Sequence, residues 1–400
     1  MEIISGKRPV GKPTKLKRIN NKINTTFSQH SFDIMIKKLK RIIMRYKYLD
    51  FLRQIALFYM FFQHAVLVLL KSYLNDGIIL FLFEIVPFCP ALFLFLAGFS
   101  ITLHLKKNNL DKIEPKYFLH LFSRGLLLIF CASILFVIEH GFQFPEFFLC
   151  GNILNTIGWM IIISGLILMN RHKEIISVSL FIILSLIFII LDIHEIRFLP
   201  LTYGYEPMLP TMIFGFMGLS TGLLLNKIND GKKMNISVIS IGTTGLALFS
   251  FYSFKYGIFK VFYSDIGRYF IKREFNEKFL VQNIISGNNS DPFYTASVWN
   301  YNTECFIASI GFILVMFAVS FYLEKTIFKK INGNFFIPGK FAFFNYFYHL
   351  SIISIIALFF GFNLMNTAQL LIFLSLLFLF SYVLSFLFQI IRQKMEKSGN

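Results

Sequence analysis

The chain has 400 residues, of which 56% are hydrophobic and only 15% charged, and its mean hydropathy is +0.65. A soluble domain cannot cover that much apolar surface, so the composition excludes a soluble globular protein and indicates a polytopic membrane protein. The net charge of +18 is then attributed to loops that face the surface of a lipid bilayer, and it does not indicate nucleic-acid binding.

The chain begins with a basic segment that precedes the apolar part. Residues 1–30 carry no apolar core, and we expect them to form a disordered tail. Within residues 31–47, apolar residues recur at steps of three and four, while lysines and arginines occupy the remaining faces. This pattern predicts a basic amphipathic helix that lies in the membrane interface, with a partner-binding helix as the alternative.

The next part of the chain contains ten apolar stretches, each long enough to span a bilayer. They lie at about 51–71, 78–104, 117–139, 152–170, 174–191, 208–226, 236–257, 303–323, 341–361 and 367–391. We therefore predict an all-α polytopic membrane protein, with a transmembrane domain over residues 48–391 and a short tail over 392–400.

Lysine and arginine gather in alternate loops. The loops at 140–151 and 362–366 contain neither residue, whereas the loops on the opposite side each carry at least two. Because short loops rich in Lys and Arg stay in the cytoplasm, both termini are predicted to be cytoplasmic. Segment 258–302 is a long outer loop of mixed charge, in which we expect short helices that cover an outward-facing cleft.

Two ionisable residues lie inside the first span. Arg53 and His64 are eleven positions apart, so both side chains leave the helix on one face, about 16 Å apart along its axis. A buried imidazole serves as a general base or as a hydrogen-bonded structural group. Arg53 either binds phosphate or extends to the membrane surface, and Asp50 is its expected structural partner. Together they suggest an anionic donor that enters from the cytoplasm and reaches the histidine.

Further polar residues lie in other spans. Glu84 has the chemistry to orient a histidine or bind a sugar hydroxyl, or else pairs with another helix. His120 and Arg124 share a face suited to donor phosphates or to lipid headgroups. Asn345 and His349 also share a face, which either lines a donor tunnel or makes structural hydrogen bonds. No phosphate-binding loop, hydrolase triad or metal-ligand spacing is recognisable, so no metal is predicted.

Six segments of the chain resemble the transmembrane acyltransferases. The first span matches their signature of an arginine and a histidine separated by ten residues, after a Leu-Asp-x-Leu-Arg opening. The segments are LDFLRQIALFYMFFQHAVLVLL (49–70), FCPALFLFLAGFSITLHLKK (88–107), YFLHLFSRGLLLIF (117–130), GNILNTIGWMIIISGLIL (151–168), MLPTMIFGFMGLSTGLLL (208–225) and GKFAFFNYFYHLSIISI (339–355). They are most similar to the catalytic domain of heparan-α-glucosaminide N-acetyltransferase, and the first three are shared with the acyltransferase 3 family.

The resemblance implies transfer of an acyl group, usually acetyl, from cytoplasmic acetyl-CoA to a sugar across the membrane. It assigns His64 as the catalytic base and Arg53 and Arg124 to the donor. Acetyl-CoA would be a substrate, with no bound cofactor, and the acceptor a hydroxyl or amine of an exported or cell-envelope glycan. The expected location is a bacterial plasma membrane. Gln54 stands where the family usually has a glycine, which puts the helix packing at that position in question.

Two other classes of protein fit parts of the pattern. A transporter or flippase of a polar or lipid-linked solute would also place charged residues inside several spans. Against it, the two halves of the chain show no convincing internal repeat. A non-enzymatic scaffold would use the basic N-terminal helix alone.

Overall fold

The structure is a computed structural model, and it describes most of the apolar part of the chain. The described residues are 46–70, 88–108, 110–140, 142, 144–149, 151–196, 201–202, 207–256, 303–361 and 364–398. The predicted N-terminal tail and interfacial helix, the predicted outer loop 258–302 and the candidate residue Glu84 lie outside these ranges.

The described residues are almost entirely helical, and among them there is no strand, only an isolated bridge between Leu70 and Met365. The helices are α1 (Lys47–Leu69), α2 (Phe88–Asn108), α3 (Pro115–His140), α4 (Glu146–Leu149), α5 (Ile153–Leu168), α6 (Lys173–Ile193), α7 (Met208–Asn226), α8 (Gly231–Tyr256), α9 (Thr303–Leu323), α10 (Ile337–Lys340), α11 (Ala342–Phe360) and α12 (Thr367–Ser398).

Seven stretches of helix within the described residues are long and apolar enough to cross a membrane. They are Pro115–Val137, Lys173–Ile193, Met208–Asn226, Gly231–Phe251, Thr303–Phe328, Ala342–Phe360 and Thr367–Met395. The protein is therefore all-helical and has the helices of an integral multi-pass membrane protein. The count of ten crossings and the cytoplasmic placement of both termini stay predictions.

Glycines allow the backbones of α2 and α7 to touch. A Cβ atom added at Gly98 would overlap the carbonyl oxygen of Gly215, and one added at Gly218 would overlap the carbonyl oxygen of Phe95. Lipid tails are as apolar as the helices, so the hydrophobic effect does not drive helices together in lipid. They associate through such close packing instead. This packing fixes α2 and with it Ser100, which lies near the candidate site.

Helix α1 lies inside the bundle, so its polar side chains meet other helices. Leu52, Ala56 and Leu57 are fully buried along it. At its start, the Lys47 Nζ donates to the carbonyl oxygens of Phe328 and Ile331, at 2.8 Å each. These bonds tie the start of α1 to the end of the helical stretch that continues α9, because unpaired carbonyl groups at a helix end need donors.

The segment between α9 and α11, which we predicted as a loop, is largely helical. It contains a π-helix (Glu324–Phe328), a 3₁₀-helix (Gly333–Phe336) and α10. A Cβ at Gly339 would overlap the carbonyl oxygen of Asp50, so only glycine permits this close approach of α10 to α1. The contact brings Lys340 beside the part of α1 that carries Arg53.

Candidate active site

A cavity of about 450 Å³ lies among α1, α2, α3, α5, α10 and α11. Three basic side chains line it, namely Arg53, Arg124 and Lys340, which we call the basic cluster. The described residues that line the cavity include no acidic one, and most are apolar, such as Leu96 and Ile157. The volume is typical of small-molecule sites, and the lining suits an anionic group with an extended apolar part.

Arg53 is held in place by two partners. Its Nη1 lies 2.9 Å from the Asp50 carboxylate, and its Nη2 donates to the Ser100 hydroxyl. The Arg53 side chain is 26% exposed, whereas that of Asp50 is 4% exposed. The predicted pairing with Asp50 is therefore confirmed, and the ion pair together with the bond to α2 fixes the guanidinium at the cavity wall.

The other two members of the basic cluster are more exposed. Arg124 lies on α3 and lines the cavity, as does Tyr117. The Lys340 Nζ donates to the side chain of Gln389 at 3.2 Å. Tyr117 stacks on His104 with ring centroids 3.5 Å apart. These side chains place two more cations and an aromatic surface in the cavity wall that carries the guanidinium of Arg53.

His64 contacts a second histidine. The distance from His64 Nδ1 to His349 Nε2 is 2.9 Å, and the two ring planes are 20° apart. His349 is fully buried, and its Nδ1 lies 3.0 Å from the Asn345 carbonyl oxygen. We call His64 and His349 the histidine pair.

One residue of the cavity wall contacts the histidine pair. Neither His64 nor His349 is among the described residues that line the cavity, but Tyr346 is. The ring centroid of Tyr346 lies 5.5 Å from that of His349, and its hydroxyl donates to Asn152 Oδ1 at 2.8 Å. Arg53 and Tyr346 thus both belong to the cavity wall, and Tyr346 also packs against His349 of the histidine pair.

The family model for the catalytic region of heparan-α-glucosaminide N-acetyltransferase matches residues 45–252. The chain belongs to this family. A comparison with curated proteins gave no match. The family and the long apolar helices together make the protein a membrane acetyltransferase.

The matched segment of the N-acetyltransferase family contains Arg53, His64 and Arg124, whereas Lys340 and His349 lie beyond it. The structure brings residues from both parts of the chain together. Lys340 joins Arg53 and Arg124 in the cavity wall, and His349 contacts His64 across 285 positions of sequence.

Asn345 and His349 were grouped in one prediction because they share a face of α11. Asn345 is buried, and its amide donates to the Pro338 carbonyl oxygen at 3.0 Å and to the Ser385 hydroxyl at 2.9 Å. The Ser381 hydroxyl donates to Asn345 Oδ1 at 2.7 Å. Asn345 thus connects α10, α11 and α12, which agrees with the structural alternative for this residue.

Four polar cavity residues were not predicted as site residues, namely Ser100, Tyr117, Lys340 and Tyr346. The sequence does not mark Lys340 as a site residue, since nothing in it shows that α10 packs against α1. A polar residue one turn from a buried histidine was the available signal for Tyr346. His120, which we placed with Arg124, is exposed and is not among the described lining residues.

Proposed function

We propose that the protein transfers an acetyl group from cytoplasmic acetyl-CoA to a hydroxyl or amine of an exported or cell-envelope sugar. The observation that carries this proposal is the cavity with the basic cluster in its wall, of which one lining residue, Tyr346, packs against His349 of the histidine pair. The phosphates of acetyl-CoA match the basic cluster. Its long, weakly polar arm, which ends in a thioester, matches the apolar wall of the cavity.

The basic cluster would bind the phosphates of the donor. Arg53 offers a planar donor group fixed by Asp50 and Ser100, and guanidinium groups suit phosphate oxygens. Arg124 and Lys340 add positive charge nearby. The pantetheine arm would then follow the apolar wall towards Tyr346, over a distance comparable to the 16 Å or so that separates Arg53 from His64 along α1.

His64 would act as the general base. Its imidazole takes the proton of the acceptor O–H or N–H while the acceptor atom attacks the thioester carbonyl carbon. The carbon–sulfur bond breaks, the acetyl group stays on the acceptor, and the CoA thiolate leaves with the proton that His64 releases. Tyr346 lines the cavity and packs against His349, whereas His64 is not among the described lining residues, so the Tyr346 side chain would turn aside for the thioester to reach His64.

Acetyl transfer by the purified full chain in nanodiscs tests the proposal. With [¹⁴C]acetyl-CoA as donor and either glucosamine or a cell-envelope polysaccharide extract as acceptor, we expect labelled sugar from the wild type. The His64→Ala variant should form none at equal abundance. A matched control is His172→Ala, because His172 lies outside the cavity, at the start of α6.

Two results would contradict the proposal. One is undiminished acetyl transfer by the His64→Ala protein. The other is uptake of sugar by proteoliposomes with no acetylated product, which would instead support the transporter alternative. The second result has a clear meaning because transport needs no chemical change in the solute, whereas the proposed reaction leaves a product heavier by one acetyl group.

A further inference from the structure

The hydrogen bonds of the histidine pair fix which nitrogen carries each proton. His349 Nδ1 lies 3.0 Å from the carbonyl oxygen of Asn345. A carbonyl oxygen only accepts hydrogen bonds, so His349 Nδ1 must carry a hydrogen. In the neutral ring, the other nitrogen of His349, Nε2, then has a lone pair and no hydrogen.

The same reasoning applies to His64. Its Nδ1 lies 2.9 Å from His349 Nε2, and since that atom accepts, His64 Nδ1 donates. A neutral His64 with its hydrogen on Nδ1 keeps the lone pair on Nε2. The chain of bonds therefore leaves one proton-accepting nitrogen in the pair, Nε2 of His64.

The ring of His349 is held so that this order of bonds persists. The Phe61 ring stacks against it at a centroid distance of 4.5 Å, and Tyr346 meets it nearly edge-on at 5.5 Å. The residue whose carbonyl accepts from His349 is itself fixed, because the Asn345 side chain bonds to Pro338 and Ser385. His349 is 0% exposed, so water does not compete for its nitrogens.

We propose that His349 is a positioning residue that holds His64 in the tautomer with a bare Nε2. This inference rests on the proposed function, in which His64 is the base. The proton of the acceptor moves to His64 Nε2 and later to the leaving thiolate, while the hydrogen on His64 Nδ1 stays bonded to His349. His349 neither gains nor loses a proton in this cycle, and it does not touch the substrate.

Two variants separate positioning from structure. His349→Gln keeps an oxygen that can accept from His64 Nδ1, whereas His349→Leu has similar volume and no acceptor. Loss of the partner that sets a catalytic histidine's tautomer costs about 10²- to 10⁴-fold in kcat in comparable systems. We therefore expect such a loss in the Leu variant, with the KM for acetyl-CoA changed less than about threefold.

The Gln variant should retain kcat within about tenfold of the wild type, since the acceptor is kept. A purely structural role predicts that both variants change folding and activity together, with no split between kcat and KM. Equal kcat for wild type and His349→Leu would overturn the proposal, and so would a Gln variant as slow as the Leu variant at equal thermal stability.

A second measurement does not depend on activity. Ring ¹⁵N chemical shifts of histidine-labelled protein in nanodiscs report which nitrogen of His64 is protonated, with the His64→Ala spectrum providing the assignment. We expect a protonated Nδ1 and an unprotonated Nε2 in the wild type. The opposite tautomer would overturn the proposal even if the enzyme is active. If no acetyl transfer is found, the proposed function fails separately, while the same spectrum still decides the protonation of the pair.

Discussion

Arg53 and His64 lie on one face of α1, yet their surroundings differ. Arg53 is about a quarter exposed, is paired with a carboxylate and belongs to the cavity wall. His64 is not among the described lining residues, and its partner is another imidazole whose side chain is fully buried. One end of this face of α1 thus belongs to a charged cavity wall, and the other contacts a buried imidazole.

Under the proposed function, Arg53 and His64 have separate tasks. A guanidinium already bonded to Asp50 and Ser100 can hold an anion without reorganising, which favours ground-state binding. A histidine with a fixed tautomer accepts a proton in the transition state, so it lowers the barrier to acetyl transfer rather than strengthening donor binding. Changes at the Arg53 end should therefore affect donor binding, and changes at the His64 end should affect turnover. The following predictions are ordered by the size of the expected effect.

His64→Gln should give the largest change. Glutamine can still hydrogen-bond to His349 but has no proton-accepting nitrogen, so kcat should fall about 10²- to 10⁴-fold. The Kd for acetyl-CoA, measured by isothermal titration calorimetry in detergent, should stay within about threefold of the wild type. A parallel loss of donor binding would show that Arg53 and His64 do not have separate tasks.

Arg53→Gln should weaken donor binding. Hydrogen bonds to charged groups contribute about 1.5–3 kcal/mol, which corresponds to a rise in the Kd for acetyl-CoA of about ten- to a hundredfold. The control ligand is S-acetyl-pantetheine, which has the thioester but no phosphate, and its Kd should not change. An equal loss for both ligands would place the role of Arg53 in the fold rather than in phosphate binding.

Lys340→Ala should have a smaller effect on the same Kd, about three- to tenfold. Lys340 is exposed and bonds to Gln389, and exposed charges are screened by water and salt. Lys329→Ala is the matched control, since Lys329 is also exposed but is not a lining residue. If both variants bind acetyl-CoA alike, Lys340 contributes only general positive charge.

Tyr346→Phe should give the smallest change. It removes the hydroxyl that donates to Asn152 Oδ1, and a lost buried hydrogen bond costs about 0.5–1.5 kcal/mol of unfolding free energy. Tyr382→Phe is the control, because that hydroxyl donates to the Asn334 carbonyl oxygen at a more exposed position. Thermal unfolding in one detergent compares them. A larger destabilisation by Tyr382→Phe would contradict the structural importance of the Tyr346 bond.

Much of the fold follows from local patterns in the sequence. Long apolar runs indicate the helices, and a carboxylate three positions before Arg53 indicates its ion pair, because neighbours on one helix face are set by helical geometry alone. The glycine at 339 was visible as well, but its contact with Asp50 depends on two segments nearly three hundred positions apart.

The partners within the site were harder to predict for the same reason. His349 was recognised as a polar residue in a span, and two roles were left open for it. Its bond to His64 depends on how α11 packs against α1, which no periodicity within either helix specifies. The place of Tyr346 in the cavity wall likewise arises from the assembled bundle.

The most direct test of the account is a cryo-EM structure of the His64→Ala protein with acetyl-CoA bound. The account predicts donor phosphates against Arg53, Arg124 and Lys340, the arm along the apolar wall, and the thioester beside Tyr346 on the side of the vacated His64 position. Acetyl-CoA bound at another surface, or in this cavity with its thioester directed away from residue 64, would contradict it.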